Sequence, residues 1–535
     1  MATGDRWRQL EQTRLGRLSA SIGGWRAGAV FAGEAVRQYL PLAGVLALAL
    51  AVRLFRLTWP GLWTEEGFSV FLARSPLPDL VVGTANDLHP PFFYALLKVW
   101  LLPGFSEAWA RLFPLLWGLL TVGLLYCIGR RLFNPTVGAW AAFHLALSPV
   151  HVAYSREVRM YILLVFLSTL SVYLAWRWVE EASPGAWVGY LAVTLMVVYT
   201  QNLGLLILPF ENIFVVLALI RRRRWRVLPH WIAGQVLLLC GYLPWMPVVA
   251  YQMLFHNASW LGPGTLERLK QVLPHLAFGE PGWEQEGAWR NAAYVYFLVL
   301  AVVGCAYLVR EVRRRWPGLW AWLWLLLPLG TIFGLSLRFA IFQEKQFLLL
   351  TVPLALLLGL GTAGLRRRWR GLAVVLFLIM ILPSLYNLYF RRERLADHLP
   401  REAWGELAAY MESRRQPGDA VFLNPGAAVV MANLYFDPSL PCEAYPQLYT
   451  PQVGNFAGEV ATPERVEERL GPFARQYRRI WLVECCQPTY WDPQRYIPAW
   501  LETWGRPLEV PSFAGLEVHL YESRQIAPPL AHQPR

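Results

Sequence analysis

The 535-residue sequence has few charged residues and almost no lysine. Only 16% of the chain is charged whereas 56% is hydrophobic, and Lys98, Lys270 and Lys345 are its only lysines. A water-soluble protein of this size rarely has such a composition, because its surface would expose large apolar patches. The composition therefore argues against a soluble enzyme and favours a membrane protein.

The sequence also has few cysteine patterns that would bind a metal or form disulfides. The six cysteines contain no CxxC pair of the kind that binds zinc. Cys442 and the adjacent Cys485 and Cys486 lie in a polar C-terminal region, where one disulfide can form if that region is outside the cell. The sequence thus predicts neither a structural zinc site nor a dense disulfide framework.

The net charge of +13 is unevenly distributed along the chain. From Arg391 onward there are 15 basic and 18 acidic residues, so the excess lies in residues 1–390. There the arginines stand between apolar segments, which is typical of membrane topology and not of a basic face that binds nucleic acid. We therefore predict no nucleic-acid partner.

Hydropathy predicts about eleven membrane-spanning helices within a domain of residues 39–390. A polar, arginine-rich segment at 1–38 precedes them and is too long and too charged to be a cleavable signal peptide. The predicted spans lie near 39–57, 110–128, 136–153, 159–178, 187–201, 203–220, 230–250, 291–309, 319–336, 346–364 and 371–390. The fold class is therefore an all-α polytopic membrane domain.

The arginine clusters predict which end of the helices faces the cytoplasm. With eleven spans, all the clusters fall on the side that holds the N-terminus, and the positive-inside rule makes that side cytoplasmic. The clusters are Arg130–Arg131, Arg221 to Arg224, Arg310 to Arg315 and Arg366 to Arg370. An odd number of spans then places the C-terminal region, 391–535, outside.

Residues 391–535 have the composition of a soluble domain. Asp419 to Leu423 and Arg479 to Val483 read as buried strands, whereas Ala403 to Arg414 and Pro463 to Arg475 read as amphipathic helices. Strands that alternate with helices predict a small extracytoplasmic α/β domain.

The outer loops, above all 58–109 and 251–290, carry most of the acidic and histidine side chains near the membrane. In the first loop Glu65 and Glu66 are adjacent and flanked by aromatic residues. Desolvation and like charge can raise a carboxyl pKa and make a general base. The alternative is an ordinary solvated pair of acids.

Asp87 and His89 follow in the same loop, before two prolines that favour an extended backbone. An aspartate and a histidine two positions apart can bind a phosphate or a divalent cation. Helix capping and turn formation would explain Asp87 equally well.

A third polar segment precedes the fourth predicted span. Arg156 and Arg159 are three apart, so a helix would place both on one face, and Glu157 and Tyr161 share another. Arginines at an outer boundary oppose the positive-inside trend, and an anionic phosphate would explain them. A salt bridge of these arginines with Glu65 or Asp87 is the alternative. Lys345 also lies at an outer boundary, at the start of the tenth predicted span, and there the alternative is that its side chain snorkels to the membrane surface.

Taken in order, these segments resemble the GT-C glycosyltransferases of the protein O-mannosyltransferase type, glycosyltransferase family 39, which includes bacterial lipid A aminoarabinose transferases. The resemblance covers residues 40–365. It rests on Leu62 to Ser69, His89-Pro90-Pro91, Ser106-Glu107 with Arg111, Gly129 to Phe133, Leu147-Ser148-Pro149, Ser155 to Tyr161 and Tyr199-Thr200. This chain departs from the family in having Glu65 where relatives have Asp, Gln201 where they often have His, and Lys345-Gln346 where they usually have Arg-Tyr.

The resemblance implies an inverting transfer of sugar from a polyprenyl-phosphate donor on the outer face of a bacterial cytoplasmic membrane. Glu65 would be the general base, and the donor phosphate would be held by His89, Arg156, Arg159 and Lys345. Glu66, Asp87 and Glu157 would orient Glu65 or hold a divalent cation, with Tyr161 and Gln201 in support. The acceptor can be a protein, a lipid or a glycan.

Two other function classes compete with this prediction. A catalytically inactive relative that serves as a binding or assembly subunit is suggested by the altered catalytic acid. A lipid or solute transporter would also have many spans, but the sequence shows no internal repeat or paired broken helices.

Overall fold

The computed structural model describes residues 40–255, 264–280, 286–311, 315–339, 342–391, 401–445, 460–485 and 491–524. The predicted cytoplasmic segment 1–38 and Cys486 lie outside these ranges, as do parts of the outer loop 251–290. The predictions for them, including a disulfide with Cys486, stay predictions.

The membrane domain is built from helices joined by short connections. They are α1 (Leu40–Leu54), α2 (Thr64–Arg74), α3 (Leu77–Ala85), α4 (Phe92–Trp100), α5 (Glu107–Leu132), α6 (Pro135–Leu147), α7 (Pro149–Tyr154), α8 (Tyr161–Glu181), α9 (Pro184–Thr200), α10 (Leu208–Arg222), α11 (Leu228–Tyr242), α12 (Met246–Phe255), α13 (Leu266–Phe278), α14 (Glu286–Arg310), α15 (Arg315–Ser336), α16 (Glu344–Phe347), α17 (Thr351–Gly364) and α18 (Arg367–Phe390).

Within the described ranges, eight helical segments are long and apolar enough to cross a membrane. They are Glu107–Leu132, Tyr161–Glu181, Asn202–Arg222, Trp225–Leu254, Gly287–Arg310, Arg315–Ser336, Glu344–Gly364 and Arg367–Phe390. The other three predicted spans coincide with shorter helices, namely α1, α9 and α6. The third predicted span is interrupted because α6 ends before Pro149, whose ring cannot continue the backbone hydrogen bonds of a helix.

Two of the arginine clusters lie at the end of α5 that is opposite its contact with the C-terminal domain. At one end of α5, Arg131 pairs with Glu181, next to the pair of Arg222 with Glu180. At its other end, Glu107 accepts a hydrogen bond from Tyr435 of the C-terminal domain. These two clusters thus share one end of the membrane domain, and the side of the membrane that they face stays a prediction.

The C-terminal domain contains a five-stranded sheet with the order β2-β1-β3-β5-β4. β1 pairs in parallel with β2 and β3, and β5 pairs antiparallel with β3 and β4. The strands are β1 (Asp419–Asn424), β2 (Cys442–Ala444), β3 (Arg479–Glu484), β4 (Gly505–Leu508) and β5 (Glu517–Ser523). The helices are α19 (Trp404–Arg414), α20 (Val429–Tyr435), α21 (Pro463–Ala474) and α22 (Tyr496–Trp504). The predicted α/β fold is confirmed, including both predicted strands and both predicted helices.

The two domains pack directly against each other. α20 lies on α2, and a Cβ added at Gly67 of α2 would stand 2.1 Å from the sulfur of Met431. The backbone N–H of Leu62 donates to the Tyr435 hydroxyl over 3.0 Å. The C-terminal domain thus packs against α2 and the loop that follows α1, where the sequence predicts the catalytic carboxylates.

Candidate active site

The adjacent residues Glu65 and Glu66 have opposite environments at the start of α2. The side chain of Glu66 is fully buried, whereas that of Glu65 is 38% exposed. Glu66 accepts hydrogen bonds from the backbone N–H groups of Trp63 (3.4 Å) and Val158 (3.0 Å). It also accepts two from Arg111, so each carboxylate oxygen has two donors.

Arg111 connects this carboxylate to the loop after α1. Its Nε and Nη2 donate to Glu66 over 3.1 and 2.7 Å, and its remaining bonds go to the carbonyls of Leu57, Pro60 and Gly61. Burial alone would raise the pKa of Glu66, but the charge and hydrogen bonds of Arg111 outweigh it and hold the pKa below its ordinary value. All four hydrogen bonds that this carboxylate can readily accept are thus made within the protein, and the catalytic role of Glu66 stays a prediction.

Glu65 faces Arg159, which reaches it from the segment between α7 and α8. Arg159 Nε lies 3.4 Å from the Glu65 carboxylate, and Arg159 Nη1 donates to the Glu65 carbonyl (3.2 Å) and to Ser69 Oγ (3.3 Å). Burial would lower the pKa of Arg159, yet Glu65 and nearby tyrosines raise it well above its ordinary value. The salt bridge that the sequence offered as an alternative is thus present and leaves Glu65 accessible.

The segment from Ser155 to Met160 is a turn, because α7 ends at Tyr154 and α8 begins at Tyr161. The predicted helical face shared by Arg156 and Arg159 is therefore wrong. Arg156 donates to the carbonyls of Phe55, Arg56 and Trp59 over 3.2, 2.6 and 3.3 Å. Its guanidinium carbon also lies 4.8 Å from the ring centroid of Tyr389. These bonds tie Arg156 to the backbone after α1, and its role in binding the donor phosphate stays a prediction.

Glu157, in the same turn, is paired with Arg401 of the C-terminal domain. Arg401 Nη1 also lies 4.0 Å from Glu66 Oε2. Glu157 and Tyr161 do not share a helix face as predicted, because the segment before Tyr161 is a turn. Glu157 therefore lies in a contact between the two domains. A buried carboxylate with a guanidinium partner is poorly suited to bind a cation.

Asp87 lies close to the Glu65–Arg159 pair and is buried. Burial raises the pKa of Asp87 to about 6, against the opposing charge of Arg159. Glu65 adds to the increase and Lys345 opposes it, so all three charged groups act on this carboxyl. The structure therefore brings Asp87 into the same site as Glu65.

His89 is part of this site as well. Burial and the charges of Arg159 and Lys345 lower the pKa of its imidazole well below the ordinary value, although the neighbouring Gln201 side chain opposes this. The neutral ring lies 6.4 Å from that of Tyr161, edge to face. A neutral histidine can donate a hydrogen bond to a phosphate but adds no positive charge.

Lys345 and Tyr161 complete the cationic side of the site. Lys345 Nζ lies 5.6 Å from the ring centroid of Tyr161, and the guanidinium carbon of Arg159 lies 5.9 Å from the same centroid. The charge of Lys345 acts on Glu65 and Arg159. Its side chain thus packs within the site, which disagrees with the snorkelling alternative.

Three residues that sequence reasoning missed help to form the site. Tyr94, on α4, has a fully buried hydroxyl that lacks a hydrogen-bond partner among the described residues. Gln252 donates to the carbonyls of Thr84, Ala85 and Asp87, and Asn202 donates to that of Leu88 and to Gln252. Polar side chains within apolar helices are a signal that could have identified Gln252.

The unpartnered hydroxyl of Tyr94 and the Nδ1 atom of His89 are two buried polar atoms near one cluster of charges. Buried polar groups in folded proteins normally have partners, so unpartnered ones at a charged cluster indicate a ligand-binding surface. An anionic ligand would fit this surface, since the positive charges of Arg159 and Lys345 are both close by.

The side chains predicted to hold a cation fit that role poorly. Glu66 and Glu157 are engaged by arginines, which leaves Glu65 and Asp87 beside Arg159. In the described ranges, side chains of three or more potential ligands meet within 4.8 Å only at Glu484, Glu517 and His519, in the C-terminal domain. There Arg495 already pairs with both glutamates. We therefore derive no step through a metal.

The fold and the sequence both match known GT-C proteins. Residues 88–247 match the sequence profile of the dolichyl-phosphate-mannose-protein mannosyltransferase family. The resemblance predicted from the sequence is confirmed, and the chain has the GT-C glycosyltransferase fold. Among the curated proteins, none matches the sequence significantly.

Two crystal structures of ArnT from Cupriavidus metallidurans are similar to this chain. The apo structure has a TM-score of 0.55 and 15% identity and covers 92% of this chain and 98% of ArnT. The structure bound to undecaprenyl phosphate has a TM-score of 0.55 and 13% identity, with 90% and 97% covered. At these identities the likeness shows a shared fold over nearly the whole of both chains.

Proposed function

We propose that the protein transfers a sugar from a polyprenyl-phosphate donor to an acceptor hydroxyl, with Glu65 as the general base. The observation that carries this proposal is the difference between the two adjacent glutamates. Glu66 is saturated with donors, whereas Glu65 presents a partly exposed carboxylate beside Arg159, Asp87 and Lys345. That ArnT has been crystallised with undecaprenyl phosphate supports the same class of donor.

In this mechanism Glu65 accepts the proton of the acceptor hydroxyl, whose oxygen attacks the anomeric carbon. The bond from that carbon to the phosphate oxygen breaks on the opposite side, so the configuration inverts. The phosphate leaves with the electron pair, and the charges of Arg159 and Lys345 offset its added negative charge. His89 and Tyr94 would donate hydrogen bonds to the donor.

The side of the membrane is part of the proposal. The clusters that include Arg131 and Arg222 lie at the end opposite the C-terminal domain, which supports a cytoplasmic location for them in a bacterial cytoplasmic membrane and an extracytoplasmic site. Single cysteines introduced by Glu468→Cys and Arg224→Cys, each in a variant whose six native cysteines are replaced by alanine, test this in intact cells. A membrane-impermeant thiol reagent should label the first and not the second; the reverse pattern would contradict the proposed orientation.

Purified protein in lipid nanodiscs tests the activity. It is incubated with polyprenyl-phosphate-linked sugars and with peptide, lipid or glycan acceptors, with and without EDTA, and release of lipid phosphate is measured. We expect turnover with at least one donor and acceptor, lost in Glu65→Gln and retained in Glu267→Gln, a 75% exposed control carboxylate on α13. The EDTA arm decides whether a divalent cation takes part.

Two other outcomes would favour the competing functions. Saturable donor binding without turnover for any acceptor would indicate an inactive relative that serves as a binding or assembly subunit. Movement of labelled lipid across a proteoliposome membrane that is unaffected by Glu65→Gln would indicate a transporter.

A further inference from the structure

We infer that the C-terminal domain contributes two positioning residues to the active site. Arg401 and Glu402 hold the catalytic Glu65 in place from two sides. The inference rests on the proposed function and goes beyond it, since it assigns roles to two residues that lie some 340 positions further along the chain. The two residues are consecutive, and each contacts a different segment that holds Glu65.

Glu402 caps the helix that carries the catalytic base. α2 begins at Thr64, and its N-cap residue, Trp63, makes no side-chain cap hydrogen bond. Glu402 Oε2 instead accepts from the backbone N–H of Thr64 over 2.7 Å and from the Thr64 hydroxyl over 3.0 Å. A carboxylate is favourable there because the first N–H groups of a helix lack partners and carry partial positive charge. The residue next to this cap is Glu65.

Arg401 holds the turn from which Arg159 reaches Glu65. Three consecutive residues of that turn have separate partners: Glu157 pairs with Arg401, the Val158 N–H donates to Glu66, and Arg159 pairs with Glu65. Because these residues are adjacent in the backbone, a displacement of Glu157 would displace Arg159.

The surrounding contacts leave little freedom for either segment. The sulfur of Met431 occupies the space where a side chain at position 67 would lie, so a larger residue there would force the Met431 side chain to move. Tyr435 bonds both to the backbone of Leu62, ahead of α2, and to Glu107, at the start of α5. The cap and the turn are therefore held in a packed contact between the two domains.

The consequence concerns placement of the base and not donor binding. The groups next to the proposed phosphate position, His89 and Lys345, lie among Arg159, Glu65 and Tyr161 of the membrane domain. A reacting group misplaced by about 1 Å can lower a rate by about a hundredfold. Loss of the cap should therefore reduce kcat while leaving the affinity for the donor nearly unchanged.

The test compares Glu402→Ala, Glu402→Gln and the matched control Glu468→Ala, an exposed glutamate on α21 of the same domain. We expect Glu402→Ala to lower kcat about tenfold or more with the donor KM within about twofold. Glu402→Gln keeps an accepting oxygen and should retain most of the rate. Thr64→Val should add little to the loss in Glu402→Ala, because both remove the same contact. A wild-type kcat in Glu402→Ala would overturn the inference. So would a loss in the double variant Thr64→Val, Glu402→Ala that equals the product of the losses in the two single variants.

Hydrogen exchange measured on the same variants is independent of activity. Faster exchange of the amides of residues 64–69 in Glu402→Ala, and not in Glu468→Ala, is expected from loss of the cap. If the wild type transfers no sugar but this exchange pattern is found, the proposed function fails and the positioning contact stands. Unchanged exchange in Glu402→Ala would reject the contact whatever the activity.

Discussion

The carboxylate of Glu66 and the guanidinium of Arg111 form a fully buried pair, in which Nη2 donates to Oε2 over 2.7 Å and Nε donates to Oε1 over 3.1 Å. The two residues are 45 positions apart and join α2 to the beginning of α5. Through the same guanidinium, the loop after α1 is tied to both helices. The acid next to the proposed base is therefore a structural anchor.

Glu66→Gln should reduce stability far more than Glu65→Gln. Removal of one charge from a buried pair leaves the other uncompensated, which typically costs about 3–5 kcal/mol. Thermal unfolding followed in detergent should show a clearly lower midpoint for Glu66→Gln and a nearly unchanged one for Glu65→Gln. Equal midpoints would contradict the role assigned to Glu66.

Donor binding should weaken as the pH rises through about 6. Burial raises the pKa of Asp87 to about 6, so this carboxyl is neutral below that pH and negative above it. A donor phosphodiester does not titrate in this range, and the pKa of His89 lies well below its ordinary value, so neither should mask the effect. The donor Kd measured from pH 5 to pH 7.5 should increase in the wild type and stay flat in Asp87→Asn. A rise of the same size in Asp87→Asn would assign the titration to another group.

Lys345→Gln should weaken donor binding by about tenfold, since a partly desolvated charge that contacts phosphate contributes on the order of 1–3 kcal/mol. Lys270→Gln is the matched control, because that lysine is 65% exposed and pairs with Glu267 on α13. Isothermal titration with a polyprenyl phosphate compares the two variants. Comparable loss in both would indicate a general effect of surface charge and not a phosphate site.

Arg156→Gln should destabilise the protein without changing donor affinity. Its guanidinium bonds to three carbonyls after α1. The thermal midpoint is expected to fall while the donor Kd, measured well below that midpoint, stays within about twofold of wild type. A large increase in Kd with an unchanged midpoint would restore Arg156 to the phosphate site predicted from the sequence.

Tyr94→Phe should leave the ligand-free protein as stable as the wild type or more so, because the buried hydroxyl it removes has no partner in the described structure. If that hydroxyl donates to the bound donor, the same substitution should weaken binding several-fold. Thermal midpoints with and without polyprenyl phosphate separate the two effects. A lower midpoint without ligand would show that the hydroxyl is already bonded in the free protein.

Much of the architecture follows from local properties of the sequence. Apolar length places the helices, because the cost of burying charge in lipid acts on each segment separately. The strands beginning at Asp419 and Arg479 were predictable for a similar reason, as short apolar runs between turn residues mark buried strands. The position of the Glu65–Glu66 pair after the first span also follows from the sequence.

Only the tertiary structure decided which member of each polar pair faces the site. Glu65 and Glu66 have the same chemistry, and what separates them is Arg111, brought to Glu66 by the packing of α5. Arg156 and Arg159 diverge because their segment is a turn and not a helix. The sequence by itself therefore determined the apolar spans and the set of candidate side chains. Their roles depend on partners tens to hundreds of residues away, because the energy of a buried charge is set by the groups that surround it in space.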